Sequence, residues 1–205
     1  MKKRTIALMM SIVMLMGVVI GGTIAWLVST PDPVVNTFTV GNVVIDLDEK
    51  DVDIATDTND ADITTSTDRN NGEARDRANK YHLLPGSTYT KDPTVWVDKT
   101  SEDCWVFVKV ENGLKAIITE GTAIETQITN NGWTALAGNE GVYYKKVTVD
   151  KTSGNKLVVF NNFTLTNDAN VSAYKDTNIT VTAYAIQSTN VADAATAWGY
   201  LNPTP

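Results

Sequence analysis

Apolar residues recur at every second position in short runs along most of this chain, and that period of two restricts it to β-structure. Val43, Ile45 and Leu47 alternate with Val44, Asp46 and Asp48, and Phe38 and Val40 do the same ahead of Gly41-Asn42. The pattern returns at Val95 and Val97, at Val106, Val108 and Val110, and at Val147 and Val149. In the last run Ile179, Val181, Ala183 and Ala185 share one face, with Thr180, Thr182 and Tyr184 on the other. Leu157 to Phe160 and Phe163 to Leu165 flank Asn161-Asn162, which reads as a bulge. Turn chemistry falls between the runs, at Pro85-Gly86, Asn112-Gly113, Asn131-Gly132, Gly138-Asn139 and Ser153-Gly154. Many short strands with such punctuation predict an all-β domain of antiparallel sheets, a sandwich or a barrel. One helix is expected near the end, where Val191, Ala194, Ala195 and Trp198 fall at i, i+3, i+4 and i+7. Asn190 or Thr189 would cap it and Gly199 would stop it.

The amino terminus obeys different rules. Lys2, Lys3 and Arg4 precede an apolar stretch with no charge until Asp32. A basic start followed by such a stretch reads as an export signal, to be set aside before any fold reasoning. Thr23 and Ala25 place small residues where a signal peptidase reads, so cleavage is expected after Ala25, leaving residues 26–205 as one domain. The alternative is a retained anchor, since a helix over Ile6 to Val28 would reach about 34 Å. In either case the membrane is met only through this stretch.

Removal of residues 1–25 takes three basic residues and no acidic one, leaving 14 Lys plus Arg against 24 Asp plus Glu. Such an acidic chain is a poor partner for nucleic acid, whose phosphates demand cations, and it favours solubility and cation association. Cys104 is the one cysteine, so no intramolecular disulfide can form. It opens the apolar run Cys104-Trp105-Val106-Phe107-Val108, which predicts burial and not reactivity. Trp96, Trp105, Trp133 and Tyr143 are likewise expected to pack in or beside the core.

Residues 48–80 differ from the rest. Asp48 to Asp68 carries eight acidic residues and one base, Lys50, with few large apolar side chains. That composition predicts an acidic loop or insertion, with a helical turn over Glu73 to Lys80. Within it Asp57, Asn59, Asp60 and Asp62 offer oxygen ligands at short spacing, a set suited to calcium. No glycine stands at the sixth position of that run and no Glu closes it, so it departs from an EF-hand loop, and a solvated acidic loop accounts for it more simply.

Residue inventory speaks against catalysis. His82 is the one histidine, which leaves neither a zinc-ligand pattern nor a charge-relay triad beyond a bare Cys104–His82 pairing. No Gly-rich phosphate loop is present. No enzyme activity and no cofactor are expected. Leu84-Pro85-Gly86-Ser87-Thr88 lacks the residue order of a sortase signal and reads as a turn.

Four stretches together resemble the TasA–camelysin family of secreted proteins of Gram-positive bacteria. They are Gly22-Thr23-Ile24-Ala25; Asn36-Thr37-Phe38-Thr39-Val40-Gly41-Asn42-Val43 continuing to Ile45-Asp46-Leu47; Pro85-Gly86 with Lys91-Asp92-Pro93-Thr94-Val95; and Ala183-Tyr184-Ala185-Ile186-Gln187 with Ala197-Trp198. The resemblance implies a jelly-roll-like β-sandwich and export through a dedicated signal peptidase. It also implies a place in the extracellular matrix or on the cell surface, in fibres made of this chain with related matrix proteins. In fibre-forming relatives an amino-terminal strand of one subunit completes the sheet of the next. Residues 26–40 would be the matching donor, with Phe38 and Val40 as anchors and Val34 and Val35 assisting. An ordinary first strand of the same molecule explains these residues equally well at this stage. The metallopeptidase label of camelysin finds no supporting motif here, and the acidic insertion and Trp26 set this chain apart. The second reading, from another class, is a monomeric surface adhesin or ligand-binding sandwich.

Overall fold

The computed structural model describes residues 42–53, 74–77 and 79–201. Among these residues the fold is antiparallel β-structure with few short helices. One four-stranded sheet has the order β2-β1-β4-β8, built from β1 (Ile45–Lys50), β2 (Arg75–Asp76), β4 (Thr94–Val97) and β8 (Asn155–Val158). A second has the order β10-β5-β7-β6, from β5 (Cys104–Asn112), β6 (Thr134–Ala135), β7 (Val142–Val147) and β10 (Ile179–Gln187). A small pair, β3 (Thr88–Thr90) with β9 (Asn162–Thr164), stands apart from both.

The alternation read from the sequence sets which face of each strand points inward. Val95 and Val97 from the first sheet share one apolar core with Cys104, Val106, Val108 and Val110 of β5 and with Tyr143 and Val147 of β7. The even positions of β5 face this core, yet Trp105 and Phe107 on its other face are buried as well. They are covered by α2 (Ala194–Leu201), whose Ala194, Ala197, Trp198 and Leu201 close a second apolar cluster with Tyr144 and Tyr184. Trp198 lies 5.2 Å from Phe107 and 5.3 Å, edge-on, from Tyr184. Two-sided burial explains why Cys104 to Val108 is apolar without interruption.

Four local expectations are corrected. The helix starts at Ala194, because the Asp193 carboxylate accepts the Thr196 N–H at 2.8 Å and caps it in place of Asn190 or Thr189. Gly199 lies inside the helix, since Leu201 still packs on the sheet, and Ala195 faces solvent. Asn161-Asn162 is a corner, not a bulge. The chain leaves the first sheet at Val158 and joins β3 from Asn162 onward. A further helix, α1 (Ile124–Asn130), carries Ile124 and Ile128 fully buried in the main core, although this stretch has no clear helical period.

Most of the expected turns hold, and one shows why glycine is needed. Gly154 sits at φ +74°, and a Cβ there would stand 2.3 Å from the Val97 carbonyl oxygen. The chain between Val147 and Asn155 can therefore pass β4 closely only with glycine at this point. The described parts of the segment 48–80 are less loop-like than its composition implies. β1 runs through Asp48 and Glu49 to Lys50, and its far end returns as β2, with Glu49 opposite Asp76 and Lys50 opposite Arg75. The expected helical turn over Glu73 to Lys80 is replaced at Arg75–Asp76 by this strand.

Candidate functional site

Among the described residues, β1 and β10 are the strands whose inner rows are least covered. Val43 just ahead of β1, Ile45 and Leu47 on it, and Ile179, Val181, Ala183 and Ala185 along β10, pack on the core but stay half-buried. Their counterparts on β4 and β5 are between 0% and 8% exposed. β10 ends its sheet among the described residues, and β1 is paired on its outer side only at Glu49 and Lys50. Between the two lies an open groove of about 1000 Å³. Leu47, Leu114, Phe163, Ile179 and Val181 supply its apolar lining, with Glu49, Lys91 and Tyr174 among its polar groups.

A buried ion-pair knot holds one end of this groove. Arg75 is fully buried. Its Nε donates to Asp48 Oδ1 at 2.9 Å and its Nη1 to Asp92 Oδ2 at 2.8 Å. The Trp96 indole N–H donates to the same Asp48 oxygen at 2.8 Å, and the Lys50 N–H to Asp92 Oδ1 at 2.6 Å. One guanidinium thus pairs with carboxylates from β1 and from the approach to β4, fixing the two-residue strand β2 that backbone pairing alone would hold poorly. Lys91 Nζ bridges to Glu49 Oε2 at 2.6 Å beside it.

From this knot the chain runs along the groove wall. In residues 79–84 Asn79, Tyr81 and Leu83 turn inward, while Lys80, His82 and Leu84 are exposed. Asn79 Nδ2 donates to Glu49 Oε1 at 3.0 Å and to the Lys50 carbonyl at 2.9 Å, and its Oδ1 accepts the Val52 N–H at 2.7 Å. The Lys80 N–H donates to Asp53 Oδ2 at 2.7 Å. Tyr81 packs edge-on to Tyr89 at 5.9 Å, and Tyr89 stacks on Phe163 at 5.1 Å. Burial, and then the carboxylates of Glu49, Asp92, Asp53 and Asp76, push the Tyr81 hydroxyl far above its ordinary value, so it stays a neutral donor to the Thr90 carbonyl.

Ligand oxygens of Asp51, Asp53 and Asp76, all buried, lie within 4.8 Å of one another. Oxygen-only ligands of this kind suit a hard cation such as calcium. Asp57, Asn59, Asp60 and Asp62, the residues the sequence offered for that role, lie outside the described residues. So do Thr23 and Ala25 of the cleavage site and Val34, Val35, Phe38 and Val40 of the donor strand. Sequence reasoning passed over Asp51 and Asp53, although their spacing of two on the continuation of β1 was the available signal.

Cys104 is fully buried in the main core, and burial, helped by Asp103, pushes its thiol up to about 11. His82 is exposed on the groove wall, so the thiol and the imidazole occupy different environments. Trp105, Trp133 and Tyr143 are buried and Trp96 is half-buried, as expected. No family model, curated protein or solved structure matches the chain. Among the described residues no helix is long and apolar enough to cross a membrane.

Proposed function

We propose that this chain is a secreted structural subunit of extracellular-matrix or surface fibres, in which the β1–β10 groove receives an amino-terminal strand of a neighbouring copy. The two sheets then make a jelly-roll-like sandwich that the neighbour completes. The observation that carries this reading is the half-buried inner row on both strands, of which Leu47, Ile179 and Val181 line an open groove. Apolar rows at an edge are an aggregation hazard unless something covers them, and strand addition covers them while satisfying edge N–H and C=O groups.

Residues 26–40 fit that task. Val34, Phe38 and Val40 fall on one face of an extended chain, Asp32 is the segment's one charge, and 15 residues can extend to about 50 Å. That exceeds the length of the nine-residue β10, about 30 Å. Addition of each copy to the next does not close on itself, so it yields filaments and not dimers. No cofactor takes part.

Negative-stain electron microscopy of residues 26–205, beside a chain starting at Gly41, tests the proposal. Filaments from the first and none from the second, with the second still unfolding cooperatively in urea, are expected. Two monodisperse monomers across a range of pH and calcium concentration would sink it and favour the monomeric adhesin.

A further inference from the structure

The geometry points to a self-acting cross-linking site, in which Lys91 Nζ forms an amide with the side-chain carbonyl carbon of Asn79, beside Glu49, and releases ammonia. The three residues come from separate parts of the chain: Glu49 from β1, Lys91 from the stretch between β3 and β4, and Asn79 from the wall that follows β2. Glu49 holds both reacting groups. Its Oε2 accepts from Lys91 Nζ at 2.6 Å and its Oε1 from Asn79 Nδ2 at 3.0 Å. The side chains of Lys91 and Glu49 are 11% and 6% exposed, and the Tyr81 ring centre lies 5.8 Å from Nζ. Arg75 takes Asp48 and Asp92, which leaves Glu49 to Lys91 and Asn79. A buried ion pair needs only its two charges. This one carries a primary amide on the same carboxylate, the third group that amide exchange requires.

The amide is also set up for attack. Its Oδ1 accepts the Val52 N–H at 2.7 Å, a donor placed where negative charge develops when a nucleophile adds to Cγ. Its Nδ2, the leaving nitrogen, is held by Glu49 and by the Lys50 carbonyl at 2.9 Å. The reaction begins when one proton passes from Nζ to Glu49, which removes two charges from a site where burial penalises them. The Nζ lone pair then adds to Cγ, and the C=O electrons move onto Oδ1. Glu49 gives its proton to Nδ2 and takes a second one from Nζ. The carbonyl re-forms, the Cγ–Nδ2 bond breaks, and ammonia departs as ammonium with the proton held on Glu49. Nothing is oxidised or reduced, and no co-reactant is used. Holding amine and amide on one carboxylate supplies the proximity that free side chains lack. The product closes residues 79–91 into a covalent loop that contains Tyr81, His82 and Leu83 of the groove wall. A chain with one cysteine has no disulfide for that task. The gain is that of any cross-link, fewer conformations open to the unfolded chain. The inference stands whether or not the groove accepts a strand.

Mass spectrometry of the purified full chain, intact and after trypsin digestion, tests it. The chain is expected to be lighter than its sequence, counted from the observed amino terminus, by one ammonia, about 17 Da. Trypsin should leave Lys91 uncut and yield residues 78–80 joined to residues 81–99 as one branched peptide. Lys91→Arg keeps a cation beside Glu49 without the reacting amine, and should show the full mass. Glu49→Gln should lower the cross-linked fraction roughly tenfold or more, with cooperative urea unfolding retained. An unsubstituted chain of full mass, cleaved at Lys91, overturns the proposal. So does an ammonia loss that maps to Asn112-Gly113 or Asn131-Gly132, where backbone attack on Asn gives the same mass change. A Glu49→Gln chain that cross-links as fast as the unsubstituted one removes Glu49 as the proton carrier.

Discussion

The two long margins of this fold are finished in opposite ways. At the β7–β8 margin the chain closes its own core. Between β5 and β7 it makes an excursion that places Ile124, Ile128 and Trp133 inside at 0%, 0% and 2% exposure. Trp133 donates its indole N–H to the Val158 carbonyl at 2.8 Å, and Asn131 reaches the Val159 carbonyl at 3.1 Å, so the plug is bonded as well as packed. Lys145 lies over the Trp133 ring at 5.1 Å, its ammonium held below the ordinary lysine range by burial. At the β1–β10 margin the same kinds of residue stop half-buried around a groove. The difference teaches that apolar alternation specifies a face to be covered, but not what covers it.

The comparison can be broken most forcefully at the closed margin. Trp133→Ala removes a buried ring and strands the Val158 carbonyl, so a loss of about 3–5 kcal/mol in urea unfolding is expected. Leu47→Asp or Val181→Asp at the open margin should cost less in the isolated chain, about 1–2 kcal/mol, because the wild-type side chains already meet water. The same substitutions should abolish filaments, and full-length filaments from either would refute the acceptor assignment.

A smaller effect concerns Cys104, whose thiol has a raised folded-state value near 11. The unfolded thiol ionises at lower pH than the folded one, so the stability it contributes is complete below about pH 9 and is lost as pH rises towards 11. About 2 kcal/mol should disappear over that window. Burial also raises the hydroxyls of Tyr81 and Tyr143, which contribute with the same sign at higher pH. Cys104→Ala isolates the thiol: its unfolding free energy should fall less steeply between pH 9 and 11, and an unchanged slope would contradict the assignment.

The sequence revealed the strands well and the groove hardly at all. Val95, Val97, Val106 and Val108 are buried as their alternation requires, because a strand's period depends only on local backbone geometry. Arg75 was hidden. Nothing in an acidic, Thr-rich segment announces that one arginine will be fully buried between Asp48 and Asp92, since that pairing joins residues far apart in the chain. The role of Asn79 was equally invisible, because an Asn in a polar stretch carries no period. α1 was missed for a related reason: seven residues with two apolar positions, Ile124 and Ile128, are too few to show a helical repeat, and tertiary packing supplies the stability.

The pairing of β5 with β10 has a consequence for timing. Nine residues at 104–112 align without a break against nine at 179–187, and β5 is the central element of its sheet and of both apolar clusters. Contacts so distant in sequence form only after a large loop has closed, which places such a chain among the slow folders, in milliseconds to seconds. The central strand has no lasting partner on that side until the last part of the chain is available. On the export reading, that delay keeps the polypeptide threadable during translocation and defers its collapse until nearly all of it has crossed.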